Sequence, residues 1–194
     1  MNKKLKFPVL ILLLIFLIVN IQCGHEEKSD DPNKDLKIGD HFQGGTVFYI
    51  FKSSDEGYDH QHKHGLIAAP DSLETRGSWG YSGTNGASET GIGCGKENTK
   101  EIVKASFGMS CAATYCDGLV YGGYDDWYLP SLVELNQLYV QRDMIGGFKP
   151  ESYWSSTKRE GNSDDDAWMQ DFYNGSGTFM RYYYSLKVRP IRSF

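Results

Sequence analysis

The sequence predicts an α+β domain in which two or three short helices pack on a twisted antiparallel sheet and long irregular loops connect the elements. Short runs of β-branched and aromatic residues, which are typical of strands, recur along residues 45–192. Two of these runs flank the segment NGSG at residues 174–177, which predicts a tight hairpin turn. Ser131, followed by Glu134 and by apolar residues at helical spacing, predicts a capped helix.

Six segments are predicted to be strands because they are apolar, β-branched or aromatic and are bounded by polar or glycine-containing loops. They are residues 45–51, 65–69, 153–157, 167–172, 178–184 and 186–192. The segment WYLP adds a further extended stretch. Pro130 ends that stretch and fixes the corner at which the chain enters the capped helix.

Three helices are predicted. Asn98 followed by Glu101 fits a capping box, so the first helix should begin near Thr99. Its apolar face consists of Ile102, Val103 and Phe107. A second helix, little longer than one turn, covers residues 111–116. The third follows the Ser131 cap, and its apolar positions are Leu132, Leu135, Leu138 and Tyr139.

Residues 1–22 are predicted to be a secretory signal. Three lysines precede an apolar run at residues 7–19, which is shorter than the roughly 20 residues of a membrane span. Cys23 follows at once and resembles the lipidated cysteine of a bacterial lipoprotein, although Asn20 and Gln22 depart from the residues preferred there. We expect lipidation at Cys23. The alternatives are an uncleaved N-terminal anchor and plain secretion, and each of them exports the domain.

Residues 23–37 are predicted to be a tether, because they are rich in charge and lack apolar periodicity. Residues 38–194 then form one domain. Removal of residues 1–22 takes away three lysines and no acids, so the formal net charge falls from -5 to -8. An acidic surface disfavours nucleic acid as a partner by bulk electrostatics, although a local basic patch stays an alternative.

The cysteines agree with export. With Cys23 lipidated, Cys94, Cys111 and Cys116 remain, an odd number in a compartment where disulfides persist. We expect Cys94 to bond to Cys111 or to Cys116, with the third thiol buried as a small apolar group. A metal site made from the three cysteines is the alternative, but the spacing lacks a C-x-x-C pair.

Three histidines occur in the polar loop between the first two predicted strands. His60, His62 and His64 alternate, so an extended segment would place all three on one side. Neutral imidazoles are good ligands for zinc or copper. The sequence therefore allows a metal site, with a solvated hairpin tip as the alternative.

Eight short motifs occur in order along residues 38–194: GTVFYI, GLIAAP, GIGCGKENT, GGYDDWYLPSLVELNQLY, IGGF, YWSST, AWMQDF and VRPIR. This set resembles the Lcl C-terminal domain family, named for a Legionella collagen-like adhesin. The resemblance implies a C-type-lectin-like single domain, similar also to formylglycine-generating enzymes, that is exported and binds ligands at the cell surface. In the adhesin the domain attaches to glycosaminoglycans as a trimer. No Gly-X-Y stalk precedes it here, so trimerisation is not carried over.

A calcium site is considered because many C-type lectins hold sugars through Ca²⁺. The E-P-N, Q-P-D and W-N-D motifs of those lectins are missing, and Trp127 is expected in the core. The acidic run at residues 160–166 offers oxygen ligands in Asn162, Asp164, Asp165 and Asp166. A solvated loop without metal is the alternative.

A sugar site without metal needs exposed aromatic rings beside polar groups. We expect it on the last tyrosine-rich strand and on the glycine-rich loop before the first helix. The candidate residues are Trp79, Tyr81, Arg181, Tyr182, Tyr184 and Arg189. Lys187 and Arg192 extend the arginines into a possible cationic strip for acidic sugars. The alternative is that these cations pair with the many acids.

We therefore expect an exported, lipid-anchored binding module at the outer membrane or cell surface. Its ligand would be a host or matrix glycan or protein, and neither enzymatic activity nor a cofactor other than Ca²⁺ is expected. One alternative is a structural envelope lipoprotein that binds another bacterial protein. The other is an enzyme of the formylglycine-generating type, which needs a reactive cysteine pair that matches no motif here.

Overall fold

The computed structural model describes residues 31–84, 86–161 and 165–194 and shows a small α+β domain, which confirms the predicted fold class. The helices are α1 Gly95–Ala105, α2 Ala112–Asp117, α3 Leu132–Val140 and α4 Arg142–Ile145, with a 3-10 turn at Asp71–Leu73. The strands are β1 His41–Phe42, β2 Gly45–Ile50, β3 Gly65–Ala68, β4 Thr75–Gly77, β5 Ser152–Lys158, β6 Asp166–Asp171, β7 Gly177–Arg181, β8 Leu186–Val188 and β9 Ile191–Ser193.

The described strands form two sheets where one was expected. The smaller sheet has the order β1-β2-β3-β9, and the larger has the order β4-β8-β5-β6-β7. Every described pair is antiparallel except β5 with β8, which run parallel at Tyr153 and Lys187. The C-type-lectin-like architecture stays a prediction, with which this mixed fold is compatible.

The second sheet arises because the last predicted strand, residues 186–192, is broken. Pro190 cannot donate a main-chain hydrogen bond, so a continuous ladder is interrupted there. Its carbonyl oxygen accepts from the Ala69 N–H at 3.0 Å, and Ile191 N–H then donates to Tyr128 at 3.0 Å. As a result β8 belongs to the larger sheet and β9 to the smaller one.

The strand predicted at residues 178–184 is also too long. β7 ends at Arg181, and residues 182–185 turn back toward β8, with Tyr184 N–H donating to the Arg181 carbonyl at 3.1 Å. The strand alternation expected for the tyrosines therefore does not apply. The preceding hairpin turn is confirmed: Gly175 has a φ of 82°, and its N–H donates to the Asp171 carbonyl at 2.7 Å.

Helix α1 begins one turn earlier than predicted. Asn98 lies inside the helix and is buried, and its side-chain amide donates to the Glu89 carbonyl at 2.6 Å instead of capping the helix. Phe107, expected on the apolar face, lies beyond the helix end with a φ of 51° and is 89 % exposed. Helix α2 matches the predicted residues 111–116 to within one position.

Helix α3 has the predicted capping box. The Ser131 hydroxyl accepts from Glu134 N–H at 3.2 Å, and Glu134 Oε2 accepts from Ser131 N–H at 2.7 Å. Glu134 is fully buried, and its Oε1 also accepts from Gly93 N–H at 2.9 Å. Gly95 lies so close that a Cβ there would come within 2.2 Å of Glu134 Oε2, which explains a glycine at the start of α1.

Burial of the Glu134 carboxyl raises its pKa to about 7, because the charged form loses its water. The main-chain N–H donors of Ser131 and Gly93 oppose that rise, since they stabilise the charged form. The capping box therefore places an ionisable group, with a pKa near neutral pH, in the interior.

The core has three apolar clusters. One lies where α1 and α2 meet the larger sheet, and its largest members are Trp79, Ile102, Leu129 and Trp154. The second involves α3 and includes Phe48, Leu135, Leu138, Tyr153 and Phe172. The third consists of Val47, Ile67, Ala69 and Trp127, which confirms Trp127 as a core residue.

Candidate binding surface

The turn between β7 and β8 carries three consecutive tyrosines, of which Tyr183 and Tyr184 are exposed. We define the tyrosine surface as Tyr81, Arg181, Tyr182, Tyr183 and Tyr184. Tyr183 is 62 % exposed and Tyr184 is 47 % exposed, and their rings stack with centroids 5.0 Å apart and planes 25° apart. Tyr182 is half-buried against the first core cluster and meets Tyr183 edge to face. The turn thus presents a preformed pair of aromatic faces to solvent.

Hydrogen bonds fasten the glycine-rich loop to this turn. Trp79 N–H donates to the Tyr182 carbonyl at 2.8 Å, and Tyr182 N–H donates to the Asp165 carbonyl at 2.8 Å. The Ser82 hydroxyl reaches Asp165 Oδ1 at 3.1 Å. Tyr81 is half-buried, and its hydroxyl donates to the Ser110 carbonyl at 3.1 Å. Two segments far apart in sequence, predicted as parts of one site, are therefore neighbours.

Two of the six predicted ligand-binding residues are buried, so those predictions are wrong. Trp79 is 2 % exposed, and its indole N–H donates to the Ser155 carbonyl at 2.7 Å. Arg189 is 2 % exposed and forms an ion pair with Glu74 at 2.9 Å. Trp79 and Arg189 were predicted to be exposed because the sequence alone does not show that buried polar groups, the Ser155 carbonyl and the Glu74 carboxylate, bind them.

The other cations of the predicted strip are paired with acids, as the alternative expected. Arg181 lies 3.5 Å from Asp165 and 3.5 Å from Asp166. Arg192 binds Asp126 at 2.7 Å. Lys187 lies 3.4 Å from Glu74. Arg181 is nevertheless half exposed, so it contributes charge at the edge of the tyrosine surface.

Tyr183 was missed as a site residue. The strand prediction assigned alternate tyrosines to opposite faces and selected Tyr182 and Tyr184, whereas a turn exposes consecutive residues. One feature of the sequence could have indicated the turn. The segment YYYS, residues 182–185, lies at the junction of two predicted strands that follow each other directly, so the chain has to change direction within it.

Two of the four predicted calcium ligands, Asp165 and Asp166, lie within the described residues. Asn162 and Asp164 lie outside the described residues. Asp165 pairs with Arg181, and Asp166 pairs with Arg181 and with Arg159 at 3.2 Å. Within the ranges that the structure describes, no three His, Cys, Asp or Glu side chains are placed to hold a metal ion as they stand.

The predicted disulfide is absent from the structure, in which Cys94, Cys111 and Cys116 are free thiols. Cys111 and Cys116 belong to the first core cluster, whereas Cys94 lies at the start of α1 beside charges from Glu56 and other acids. Burial raises the pKa of the Cys94 thiol and raises that of Cys116 well above its usual range. The thiols of Cys94 and Cys116 are therefore poor nucleophiles.

Residues 31–37, the described part of the predicted tether, pack on the folded domain. Asp31 is buried, and its Oδ2 accepts from Lys63 N–H at 2.7 Å, while the Asn33 side chain donates to the Lys63 carbonyl at 3.2 Å. Residues 31–37 thus pack against the histidine-containing loop. Cys23 and the predicted signal lie outside the described residues. The described helices include none that is both long and apolar enough to cross a membrane.

The fold defines a class, a small α+β domain with two sheets, short helices and an exposed aromatic turn. Within that class the chain belongs to the Lcl C-terminal domain family, whose model matches residues 73–192. The match covers about three fifths of the chain and confirms the family indicated by the motifs. The matched region begins after β3, so it is shorter than the span of residues 38–194 over which the motifs were found. No curated protein matches the sequence.

Proposed function

We propose that this chain is an exported, non-enzymatic binding module, anchored through Cys23 at the outer membrane or cell surface, that binds a glycan or a matrix protein. The observation that carries the proposal is the stacked, exposed pair Tyr183 and Tyr184. Tyrosine offers a large, rigid contact area at low entropic cost and is enriched where proteins bind ligands.

The surroundings of the pair support the same function. An aromatic face suits the apolar face of a sugar ring, and neighbouring hydroxyl, carboxylate and guanidinium groups suit its hydroxyls. Ser82, Asp165 and Arg181 supply these groups beside the turn. Because the site combines an apolar platform with a polar edge, it fits a carbohydrate or a polar protein loop better than a purely apolar ligand.

The enzyme alternative is less well supported. A formylglycine-generating mechanism needs an activated thiol. Burial raises the pKa of Cys94 and of Cys116, which keeps both thiols protonated at neutral pH.

Replacing Tyr183 and Tyr184 together with alanine is expected to weaken ligand binding by tenfold or more, equal to about 1.4 kcal/mol. The full chain, purified in detergent, would be screened on a glycan array and a panel of matrix proteins, with Ca²⁺ and with a chelator. Affinity for each hit would then be measured for both proteins. Tyr173→Ala is the matched control, since Tyr173 is 78 % exposed in the turn between β6 and β7.

The control variant should bind as the original chain does. The proposal fails if the chain binds nothing in either condition, or if the double variant and Tyr173→Ala behave alike. Sensitivity to chelator would instead indicate a calcium-dependent ligand.

The anchor is tested separately by expressing the full chain in a bacterium that lipidates exported proteins. We expect the chain to take up a radiolabelled fatty acid and Cys23→Ser to lose the label. Cys94→Ser is the control and should keep it. An original chain that carries no label would contradict the lipid anchor while leaving the binding proposal open.

A further inference from the structure

Phe107 is the most exposed large apolar side chain among the residues that the structure describes. It lies in the turn directly after α1, which we call the Phe107 turn, residues 106–109, and it is 89 % exposed. Met109, at the end of the same turn, is 46 % exposed. Burial therefore does not explain an aromatic residue at this position.

The main chain of the turn does not favour Phe107 either. Phe107 has a φ of 51° and Gly108 has a φ of 82°, and Met109 N–H donates to the Ser106 carbonyl at 3.0 Å. Positive φ angles at both central residues are typical of a type I′ turn, in which glycine, asparagine and aspartate are preferred. A bulky side chain in the left-handed region costs free energy, and such residues are concentrated at functional sites. Neither burial nor turn geometry offsets this cost, which indicates that Phe107 serves a contact outside the domain.

The Phe107 turn is joined to the tyrosine surface. The Tyr81 hydroxyl donates at 3.1 Å to the carbonyl of Ser110, which directly follows the turn. Phe107 also borders an open hollow of about 310 Å³ whose wall includes Ser82. The Ser82 hydroxyl reaches Asp165, whose carbonyl accepts a hydrogen bond from the turn between β7 and β8. The two exposed areas therefore belong to one face of the domain.

Two ion pairs border this face. Lys104 Nζ lies 3.7 Å from Glu101 Oε2 beside the hollow, and Arg181 Nη1 lies 3.5 Å from Asp165 Oδ2 beside the tyrosines. All four side chains are partly exposed. The face thus combines exposed aromatic and methionine side chains with an edge of paired charges. An apolar centre with a polar rim is the usual anatomy of a protein–protein interface, and Tyr, Phe, Met and Arg are enriched there.

We propose that this face binds a protein, and that Phe107 is the anchor that inserts into an apolar pocket of that partner. This role for Phe107 rests on the proposed function and narrows its ligand from a glycan or a protein to a protein. Phe107 and Met109 offer no polar tip to the hydroxyls of a sugar. An aromatic side chain that fills an apolar pocket is typical of the few residues that dominate the affinity of protein interfaces.

Charge indicates which kind of partner fits. The chain has a formal net charge of -5, and the carboxylates of Glu101 and Asp165 lie at the edge of the face. These charges disfavour an anionic bilayer and a second copy of this chain, because like charges would then face each other. We expect a protein that presents basic side chains around its apolar pocket.

Substitution of Phe107 with asparagine tests the anchor and keeps the turn, because asparagine tolerates a positive φ. Binding of the full chain in detergent to immobilised fibronectin, laminin and collagen would be measured by surface plasmon resonance. We expect Phe107→Asn to bind the same protein about tenfold or more weakly than the original chain does. Its midpoint of urea unfolding should be equal to that of the original chain or higher.

Val140→Asn is the matched control, since Val140 is 55 % exposed at the end of α3, and it should bind as the original chain does. Equal affinity of Phe107→Asn and Val140→Asn overturns the proposal. A lower urea midpoint for Phe107→Asn also overturns it, because Phe107 would then be a structural residue. Glycans and vesicles of phosphatidylcholine with phosphatidylglycerol are measured in parallel. Binding to either of them, with none to the three proteins, contradicts a protein partner.

The same measurements separate the anchor from the proposed function. Loss of binding in the double variant Tyr183→Ala with Tyr184→Ala, together with full binding in Phe107→Asn, removes the anchor and leaves the proposed function standing. A chain that binds no protein and no glycan removes both.

Discussion

Replacing Arg189 with alanine is expected to lower the free energy of unfolding by about 3–5 kcal/mol, because it leaves a buried carboxylate without its main partner. Arg189 Nη1 binds Glu74 Oε1 at 2.9 Å, and Nε donates to the Ala69 carbonyl at 2.6 Å. Its guanidinium also lies 4.6 Å from the centre of the Phe148 ring. Glu74 would keep only the Tyr153 hydroxyl at 2.9 Å and the more distant Lys187 among its described partners.

Urea unfolding followed by tryptophan fluorescence measures this loss. Arg181→Ala is the control, since the Arg181 side chain is 49 % exposed and its pair with Asp165 lies at the surface, where such pairs contribute about 1 kcal/mol or less. Arg159 stays as a partner of the buried Asp166 in this variant. The double variant Glu74→Gln with Arg189→Met should recover part of the lost stability, because it removes both buried charges together. A similar loss in Arg189→Ala and Arg181→Ala would contradict a structural role for the buried pair.

The stability of the domain is expected to fall as the pH rises from about 4.5 to about 7, because of Glu134. Its carboxyl has a pKa of about 7 in the folded chain, against 4.5 for the ordinary group. Between these values the folded state holds a proton that the unfolded state has released, so deprotonation favours unfolding. The full difference corresponds to about 3 kcal/mol.

Comparison with Glu134→Gln isolates this contribution. The free energy of unfolding would be measured from pH 5 to pH 8 for the original chain, for Glu134→Gln and for Glu97→Gln, an exposed acid on α1. Glu134→Gln should lose most of the decline with pH, because it cannot titrate. Glu97→Gln should keep it. Equal pH dependence in all three proteins would show that Glu134 does not titrate in this range.

Elements defined by local chemistry could be predicted from the sequence. The cap of α3 depends on two residues three positions apart, and the turn at residues 174–177 depends on a glycine with positive φ. Trp127 was predicted to lie in the core because a large aromatic ring in a strand-like segment is usually buried.

Elements decided by distant partners could not be predicted. Asn98 has the composition of a helix cap, but a carbonyl nine residues away binds its side chain inside α1. The break at Pro190 assigns two halves of one apolar run to different sheets. The burial of Arg189 depends on Glu74, 115 residues away in sequence, and no local pattern marks that pairing.

The candidate binding surface was predicted in location but not in detail. The tyrosine run and the glycine-rich loop were both selected, and the structure joins them at the Trp79 N–H. Which rings face solvent depended on where β7 ends, and helix or strand propensity does not determine an end to within one residue.

If the proposed lipid anchor is present, the packing of residues 31–37 on residues 58–64 would limit how far the domain can stand from the bilayer. With Cys23 lipidated as proposed, the spacer comprises residues 23–30, which reach at most about 28 Å when fully extended. The fifteen residues of the predicted tether would have reached about 50 Å. In the proposed lipid-anchored protein, a domain this near the lipid headgroups would capture only ligands that come close to its own cell, which would favour adhesion between touching surfaces over the retrieval of distant molecules.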